Sequence, residues 1–199
     1  TPRRATSLRI GMGERYDVLV TLGDGAFALI AQPMGKDGYA RAVVRTGAGS
    51  APQTADIAEL AGDPVTVMDL NGNEATALPS TDPDSIQDLL LNGSMAPYRW
   101  TINGATYPDT TPLTIRAGQA GRLRLRNMTM MSHPMHLHGH TFQLGAAGGR
   151  GPRKDTVLVP PMGAVDVSFV ADNPGLWMVH CHNAYHAEAG MMTRLDYVT

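Results

Sequence analysis

Gly175-Leu176-Trp177-Met178-Val179-His180-Cys181 reads as a β-strand that ends in potential metal ligands, and His182 follows directly. Successive side chains of an extended strand face opposite ways, so His180 and His182 share one face while Cys181 points to the other. One ion cannot take all three. Around this run, residues 97 to 199 continue as strand after strand: Tyr98 to Ile102, Leu113 to Ile115, Gly121 to Asn127, Thr141 to Leu144, Asp155 to Val159, Ala164 to Val170 and Thr193 to Val198. About eight short strands at 8–12-residue spacing predict an all-β fold, a Greek-key β-sandwich. The glycine-rich Gly145–Gly151 lacks phosphate-loop spacing and reads as a hairpin loop.

Upstream, Ser7–Ile10, Tyr16–Leu22, Ala26–Ile30 and Tyr39–Arg45 read as four strands separated by Gly and Pro turns. They amount to half a sandwich, which cannot close its own core and needs a further packing partner. Residues 46 to 82 read as linker with one strand at Pro64–Leu70. A short helix is expected from Pro83, with Asp82 as N-cap and Gly93 as terminator.

Composition narrows the function. The 199 residues carry 16 Lys and Arg against 18 Asp and Glu, a formal charge of −2, which gives no basic field for nucleic acid or anionic lipid. No apolar run approaches the roughly 20 residues of a membrane-spanning helix. We therefore expect a soluble globular protein with neither a nucleic-acid nor a membrane partner. The 22 Gly and 14 Pro are dispersed, as turns between short strands require. One cysteine excludes an internal disulfide. No signal peptide is visible after Thr1-Pro2-Arg3-Arg4, and the chain is expected to begin partway through a longer product.

All seven histidines and the cysteine lie between residues 133 and 186, in the strings His133-Pro134-Met135-His136-Leu137-His138-Gly139-His140 and His180-Cys181-His182-Asn183-Ala184-Tyr185-His186. Such clustering points to metal, and it supplies more ligands than one tetrahedral ion uses. Two imidazoles, a thiolate and a weak axial thioether make a trigonal blue-copper site, and His133, Cys181, His186 and Met191 supply that set. His136 and His138 share a side. The strings thus make two centres back to back, with Cys181 as a covalent path between them. One-electron oxidation outside and oxygen reduction inside is the chemistry this suits.

These residues resemble the three-domain multicopper oxidases, the group holding laccases, bilirubin oxidases and cuprous or ferrous oxidases. His133 to Gly139 matches the family's His-Pro-x-His-x-His-Gly, and His180 to Met191 matches His-Cys-His-x-x-x-His-x-x-x-Gly-Met. The resemblance implies a type 1 copper on His133, Cys181 and His186 with Met191 axial, a type 2 copper on His136, and a type 3 pair on His138, His180 and His182. Cys181 and His186 would carry the electron. His140 has no ligand role in that pattern and is expected behind the site or at the surface. Glu14-Arg15-Tyr16-Asp17 is similar to the closing part of the family's middle domain. The implied organisation is residues 1–50 from a middle cupredoxin domain, 51–94 a linker with a short helix, and 95–199 a complete C-terminal cupredoxin domain.

The family's two upstream His-x-His motifs have no counterpart here, so the chain holds four of the eight imidazoles of a trinuclear cluster. The resemblance then implies an N-terminal half as partner, four coppers per complete enzyme, dioxygen and a small reducing substrate such as a phenolic, an aromatic amine or a metal ion, and an extracellular or periplasmic location. The resemblance also brings a Glu that some bacterial members carry after the second type 1 histidine; here that place is Ala187, and Glu188, one position on, would point the other way in an extended segment. Axial Met191 implies a lower potential than Leu or Phe would give. Met128, Met130, Met131 and Met135 read either as flexible core fillers or as a route for Cu(I). A single-copper electron carrier is the main alternative, though it leaves four histidines without a task. A copper nitrite reductase has no ligand at the place of His182.

Overall fold

The computed structural model describes residues 2–53 and 58–199; residues 54–57 of the expected linker lie outside them. They form two compact units, one made of Ala5–Leu8 and Tyr16–Pro64, the other of Arg9–Arg15 and Val65–Thr199 with the N-terminal residues up to Arg4.

The smaller unit holds one antiparallel hairpin, β1 (Ala26–Ala31) and β2 (Ala40–Arg45), with Phe27 opposite Val44 and Leu29 opposite Ala42. The Arg41 guanidinium ties β2 to the Pro52 carbonyl at 2.9 Å. The strands expected at 7–10 and 16–22 do not form. Leu8 makes a single bridge, and residues 16–22 enter no ladder. An alternating apolar pattern becomes a strand only against a partner, and Leu19 stands 95% exposed.

Val65 and the residues after it depart from the linker expected there. Pro64–Leu70 contains a 3-10 turn at Val67–Asp69 rather than a strand. Thr66 Oγ1 accepts from Met68 N–H while Asp69 Oδ2 accepts from Thr66 N–H at 2.9 Å, and this local capping box replaces strand pairing. A second 3-10 turn follows at Glu74–Thr76.

The expected helix from Pro83 to Gly93 is instead β3 (Ser85–Met95). Leu89 and Leu91 are fully buried while Ile86 and Leu90 face outward, a period of two hidden in the sequence by three consecutive leucines. Asp82 therefore caps no helix, and the Asp84 carboxylate accepts from Ala120 N–H at 2.8 Å and pins β3 to its neighbour.

The remaining elements are β4 (Tyr98–Ile102), β5 (Leu113–Ile115), β6 (Ala120–Asn127), β7 (His133–Leu137), β8 (Phe142–Leu144), β9 (Arg153–Lys154), β10 (Thr156–Val159), β11 (Ala164–Val170), β12 (Leu176–Cys181), α1 (Ala184–Glu188) and β13 (Met192–Tyr197). Strands β4, β5, β6, β8, β10, β11, β12 and β13 agree closely with the expected strands, whereas β7, β9 and α1 were not expected and His133 stands in β7 rather than on a turn made by Pro134; Gly145–Gly151 lies in the hairpin loop between β8 and β9. Two sheets result, β10-β7-β12-β13-β5 and β4-β3-β6-β11-β8-β9, antiparallel except for the β3–β6 and β13–β5 pairs. On β6, Leu123 and Leu125 turn to the core between Arg122, Arg124 and Arg126. Arg124 and Arg126 close cross-strand ion pairs with Asp88 and Asp166 on the outer face. Leu89, Leu91, Leu123, Leu125, Val167 and Phe169 of one sheet and Met135, Leu137, Val157, Val179 and Leu195 of the other fill the space between them. Each such side chain contributes about 1.5–3 kcal/mol on burial, so the core fixes the register of β7 and β12.

Candidate metal centre

Strands β7 and β12 pair antiparallel with Leu137 opposite Val179, His136 opposite His180 and Met135 opposite Cys181. Directly opposed residues share a face of the sheet. The odd-numbered positions His133, Met135, Leu137, Val179 and Cys181 are buried, while His136, His138 and His180 are only half-buried on the other face.

On the inner face, His133, Cys181 and His186 converge, all buried. His133 Nδ1 and His186 Nδ1 lie 3.1 Å apart, and Cys181 Sγ is 3.8 Å from His133 Nδ1 and 3.7 Å from His186 Nδ1. Three donors at about 2.0–2.3 Å from one shared ion subtend edges of this length. Burial pushes the Cys181 thiol up to about 12, and burial together with the neighbouring His186 pushes His133 down to about 4. Burial lowers His186 also. A neutral thiol between neutral imidazoles, closed off from water, fits a soft metal that displaces the thiol proton.

Local structure holds this set in place. Thr129 Oγ1 lies 2.7 Å from His133 Nε2, so Nε2–H donates outward and the Nδ1 lone pair is presented to Cys181. The indole of Trp100 stacks on His186 with ring centroids 4.0 Å apart. Asn183 caps α1 by accepting from Tyr185 N–H at 3.2 Å, and the single helical turn carries His186 inward. Gly190 ends that turn at φ +114°, where a Cβ would meet Thr106 Cβ at 2.5 Å. Met191 is fully buried; its N–H donates to the His186 carbonyl at 2.9 Å and its carbonyl accepts from Cys181 N–H at 3.1 Å. Because residues 184–188 are helical, the extended geometry expected for Glu188 does not apply; Glu188 is exposed on the helix.

On the outer face, the donor atoms of His136, His138 and His180 lie within 4.8 Å of one another. His138 Nε2 and His180 Nε2 are 2.9 Å apart. His136 Nδ1–H donates to the Asp155 carbonyl at 2.8 Å, with Thr156 Oγ1 at 3.0 Å, and His180 Nδ1–H donates to the Cys181 carbonyl at 2.9 Å. Both rings thereby present Nε2. Burial lowers the pKa of all three. His182 is exposed and stands outside this trio, its ring centroid 5.7 Å from His136 and 5.8 Å from His180. The face opens onto a cleft of about 380 Å³ bordered by His136, Thr141, Arg153, Asp155 and Asp172. His140 is buried behind His138, with Nδ1 3.0 Å from the His138 carbonyl and Nε2 2.7 Å from Tyr197 Oη.

Thr129, Trp100, Asp155 and Tyr197 are the functional neighbours that sequence reading missed. Only Thr129, four residues before His133, offered a local cue. Of the four methionines beside the first string, Met135 is core, whereas Met128, Met130 (79% exposed) and Met131 lie at the surface.

Comparison with known proteins gives the family of the chain. The family pattern of the multicopper oxidases matches residues 80–198. The chain is similar to "Multicopper oxidase MmcO" of Mycobacterium tuberculosis, 48% identical over 199 residues, covering 99% of this chain and 40% of that protein. It is also similar to "Copper resistance protein A" of Escherichia coli, 39% identical over 111 residues, 55% of this chain and 18% of that one. Among solved structures, the blue copper oxidase of Nitrosomonas europaea superposes with a TM-score of 0.52 at 28% identity, covering 60% of this chain and 46% of the other. The McoA multicopper oxidase of Aquifex aeolicus superposes with a TM-score of 0.51 at 28% identity, covering 60% and 30%. The chain thus spans less than half the length of these relatives.

Proposed function

The chain belongs to the multicopper oxidase family, and from that premise we propose that it is the C-terminal half of a laccase-like oxidase whose trinuclear cluster is completed by an N-terminal half. Its fold is the cupredoxin-like β-sandwich of that family. In this reading His133, Cys181 and His186 hold a type 1 copper with Met191 axial, His136 holds the type 2 copper, and His138, His180 and His182 hold the type 3 pair. Copper in these sites supplies one-electron oxidation of a small reducing substrate and four-electron reduction of dioxygen to water.

The protein's own contribution is placement. Burial of Cys181 and stacking by Trp100 keep water from the inner donors. His186 is itself buried while its chain neighbour Tyr185 is 75% exposed, so an outside donor would meet the protein surface rather than the bare imidazole. From Cys181 two routes lead to the outer face, one along the backbone to His180 and His182, the other across the His180 Nδ1–H bond to the Cys181 carbonyl. The observation that carries the reading is that His180 and Cys181, adjacent in sequence, join different donor groups.

Copper counting together with electron paramagnetic resonance tests it. We expect about one tightly held copper in this chain alone and about four when its completing half is present, two of them coupled and silent. Four coppers in the 199 residues alone, or a lone type 1 signal in the complete protein, would contradict it; the latter is the signature of a single-copper electron carrier.

A second reading of the donor is Cu(I) or Fe(II). Of the two, Cu(I) is favoured by the surface thioethers of Met128, Met130 and Met131, soft ligands beside the Thr129 that contacts His133, and by the name of the copper resistance relative. Export to the periplasm or outside the cell goes with either reading; no helix among the described residues is long and apolar enough to cross a membrane.

A further inference from the structure

Gly11-Met12-Gly13-Glu14-Arg15 makes a tight turn within the sandwich unit. Glu14 N–H donates to the Gly11 carbonyl at 3.0 Å, and Gly11 N–H donates to Glu14 Oε2 at 2.7 Å, with Glu14 buried. Gly13 has φ +83°, and a Cβ there would stand 2.7, 2.8 and 2.9 Å from Cδ2, Cγ and Nε2 of His182. The turn backbone is therefore in direct contact with that ring. Arg15 reaches the other way. Its Nη1 donates to the Gly13 carbonyl at 3.0 Å, and Nη1 and Nη2 grip the Asp155 carboxylate at 2.6 and 3.0 Å. Lys154 Nζ donates to the Arg15 carbonyl. The carbonyl of Asp155 is the acceptor for His136 Nδ1–H.

We propose that this turn positions one histidine from each string, His182 through Gly13 and His136 through Arg15 and Asp155, and so sets the outer face for metal. The inference rests on the proposed function, in which both histidines are copper ligands, and adds residues to it that touch neither metal nor substrate. Its physical basis is that an imidazole offers one nitrogen to a metal only when the other is held as N–H in a fixed direction. The Asp155 carbonyl that faces Nδ1 also accepts from Leu137 N–H at 3.1 Å, and the two-pronged guanidinium bond to the Asp155 carboxylate holds the same residue from its side chain. A lysine ammonium is a point charge and cannot reproduce that fork. At Gly13 any side chain would occupy the space of the ring, so the ring plane of His182 is defined by the absence of one. The atoms nearest a Cβ at Gly13 all belong to His182, and the Arg15 guanidinium bonds the Gly13 carbonyl and the Asp155 carboxylate, so the contacts described for the device lead to the outer face.

The test compares Arg15→Ala, Arg15→Lys and Gly13→Ala with the parent in the complete oxidase. Arg15 is 70% exposed, so its replacement leaves the core untouched even where Gly13→Ala impairs folding. In metal-free protein with 15N-labelled histidine, His136 is expected as a single Nδ1–H tautomer in the parent and as a mixture in Arg15→Ala. Copper binding at the outer face should weaken about 10- to 100-fold, and the type 2 hyperfine splitting should shift. Arg15→Lys should not restore either, and the blue absorption of the Cys181 site should persist in all three. A single tautomer with parental copper affinity in the Arg15 variants overturns the inference, as does loss of the blue absorption in step with the outer coppers. A parent oxidase with no copper beyond the Cys181 site refutes the proposed function itself.

Discussion

His136 and His180 stand directly opposite each other across the β7–β12 ladder, whereas His180 and its chain neighbour Cys181 address opposite faces of the same sheet. Cross-strand register brings residues 44 positions apart into one donor group, and the strand pleat separates residues one position apart into two.

Thr129 sets the His133 tautomer through its 2.7 Å contact with Nε2. Thr129→Val keeps the volume and removes the acceptor, leaving a buried N–H unpaired at about 1–3 kcal/mol. Copper titration should show about 10- to 100-fold weaker binding at the inner site, with the outer coppers retained. Parental affinity would assign Thr129 no part in holding the ring.

Met191 is fully buried, with its backbone bonded to both Cys181 and His186. Met191→Leu removes a weak thioether donor, and the type 1 potential should rise in a redox titration. An unchanged or lower potential would mean that Met191 is not the axial group.

Acid should loosen the metal-free protein through His133. Its folded pKa, about 4, lies below the ordinary 6.5, so between those values the unfolded chain binds the proton and the folded chain does not. The stabilisation is therefore complete above pH 6.5 and is lost as pH falls toward 4, about 3 kcal/mol for this group. Burial lowers His136, His138, His180 and His186 in the same sense. Urea unfolding at pH 7 and pH 5 should show the lower stability at pH 5. Equal midpoints would contradict the burial of neutral histidine.

The strand at 85–95 makes a prediction that a helix would not. Leu89→Ala should cost about 2–5 kcal/mol and Leu90→Ala under about 1 kcal/mol, read from denaturant midpoints. Similar costs at both positions would place Leu90 in the core.

Much of the site was legible in the sequence because its rules are local. Alternation along Val179-His180-Cys181 needs only an extended backbone, and the ligand types and spacings announce copper. Most strands from Tyr98 onward were legible for the same reason, but not β7, where Pro134 reads as a turn and only pairing with β10 and β12 makes His133–Leu137 a strand. Leu89-Leu90-Leu91 was not, because a run of apolar residues carries no period, and only the parallel pairing of Leu89 with Leu125 and Leu90 with Arg126 reveals which face is buried. Tyr16–Leu22 shows the converse, a clear alternation without a ladder. Trp100 meets His133 from 33 residues away, Asp155 meets His136 from 19 through its backbone carbonyl, and Arg15 meets Asp155 from 140, and no local pattern marks such contacts.

Cys181→Ser in the complete oxidase is the most direct measurement. The account predicts that about one copper in four is lost together with the intense thiolate-to-copper absorption, while the type 2 signal and the coupled pair remain on His136, His138, His180 and His182. Retention of the blue colour, or loss of all the copper at once, would contradict a thiolate that serves one metal while its flanking imidazoles serve others.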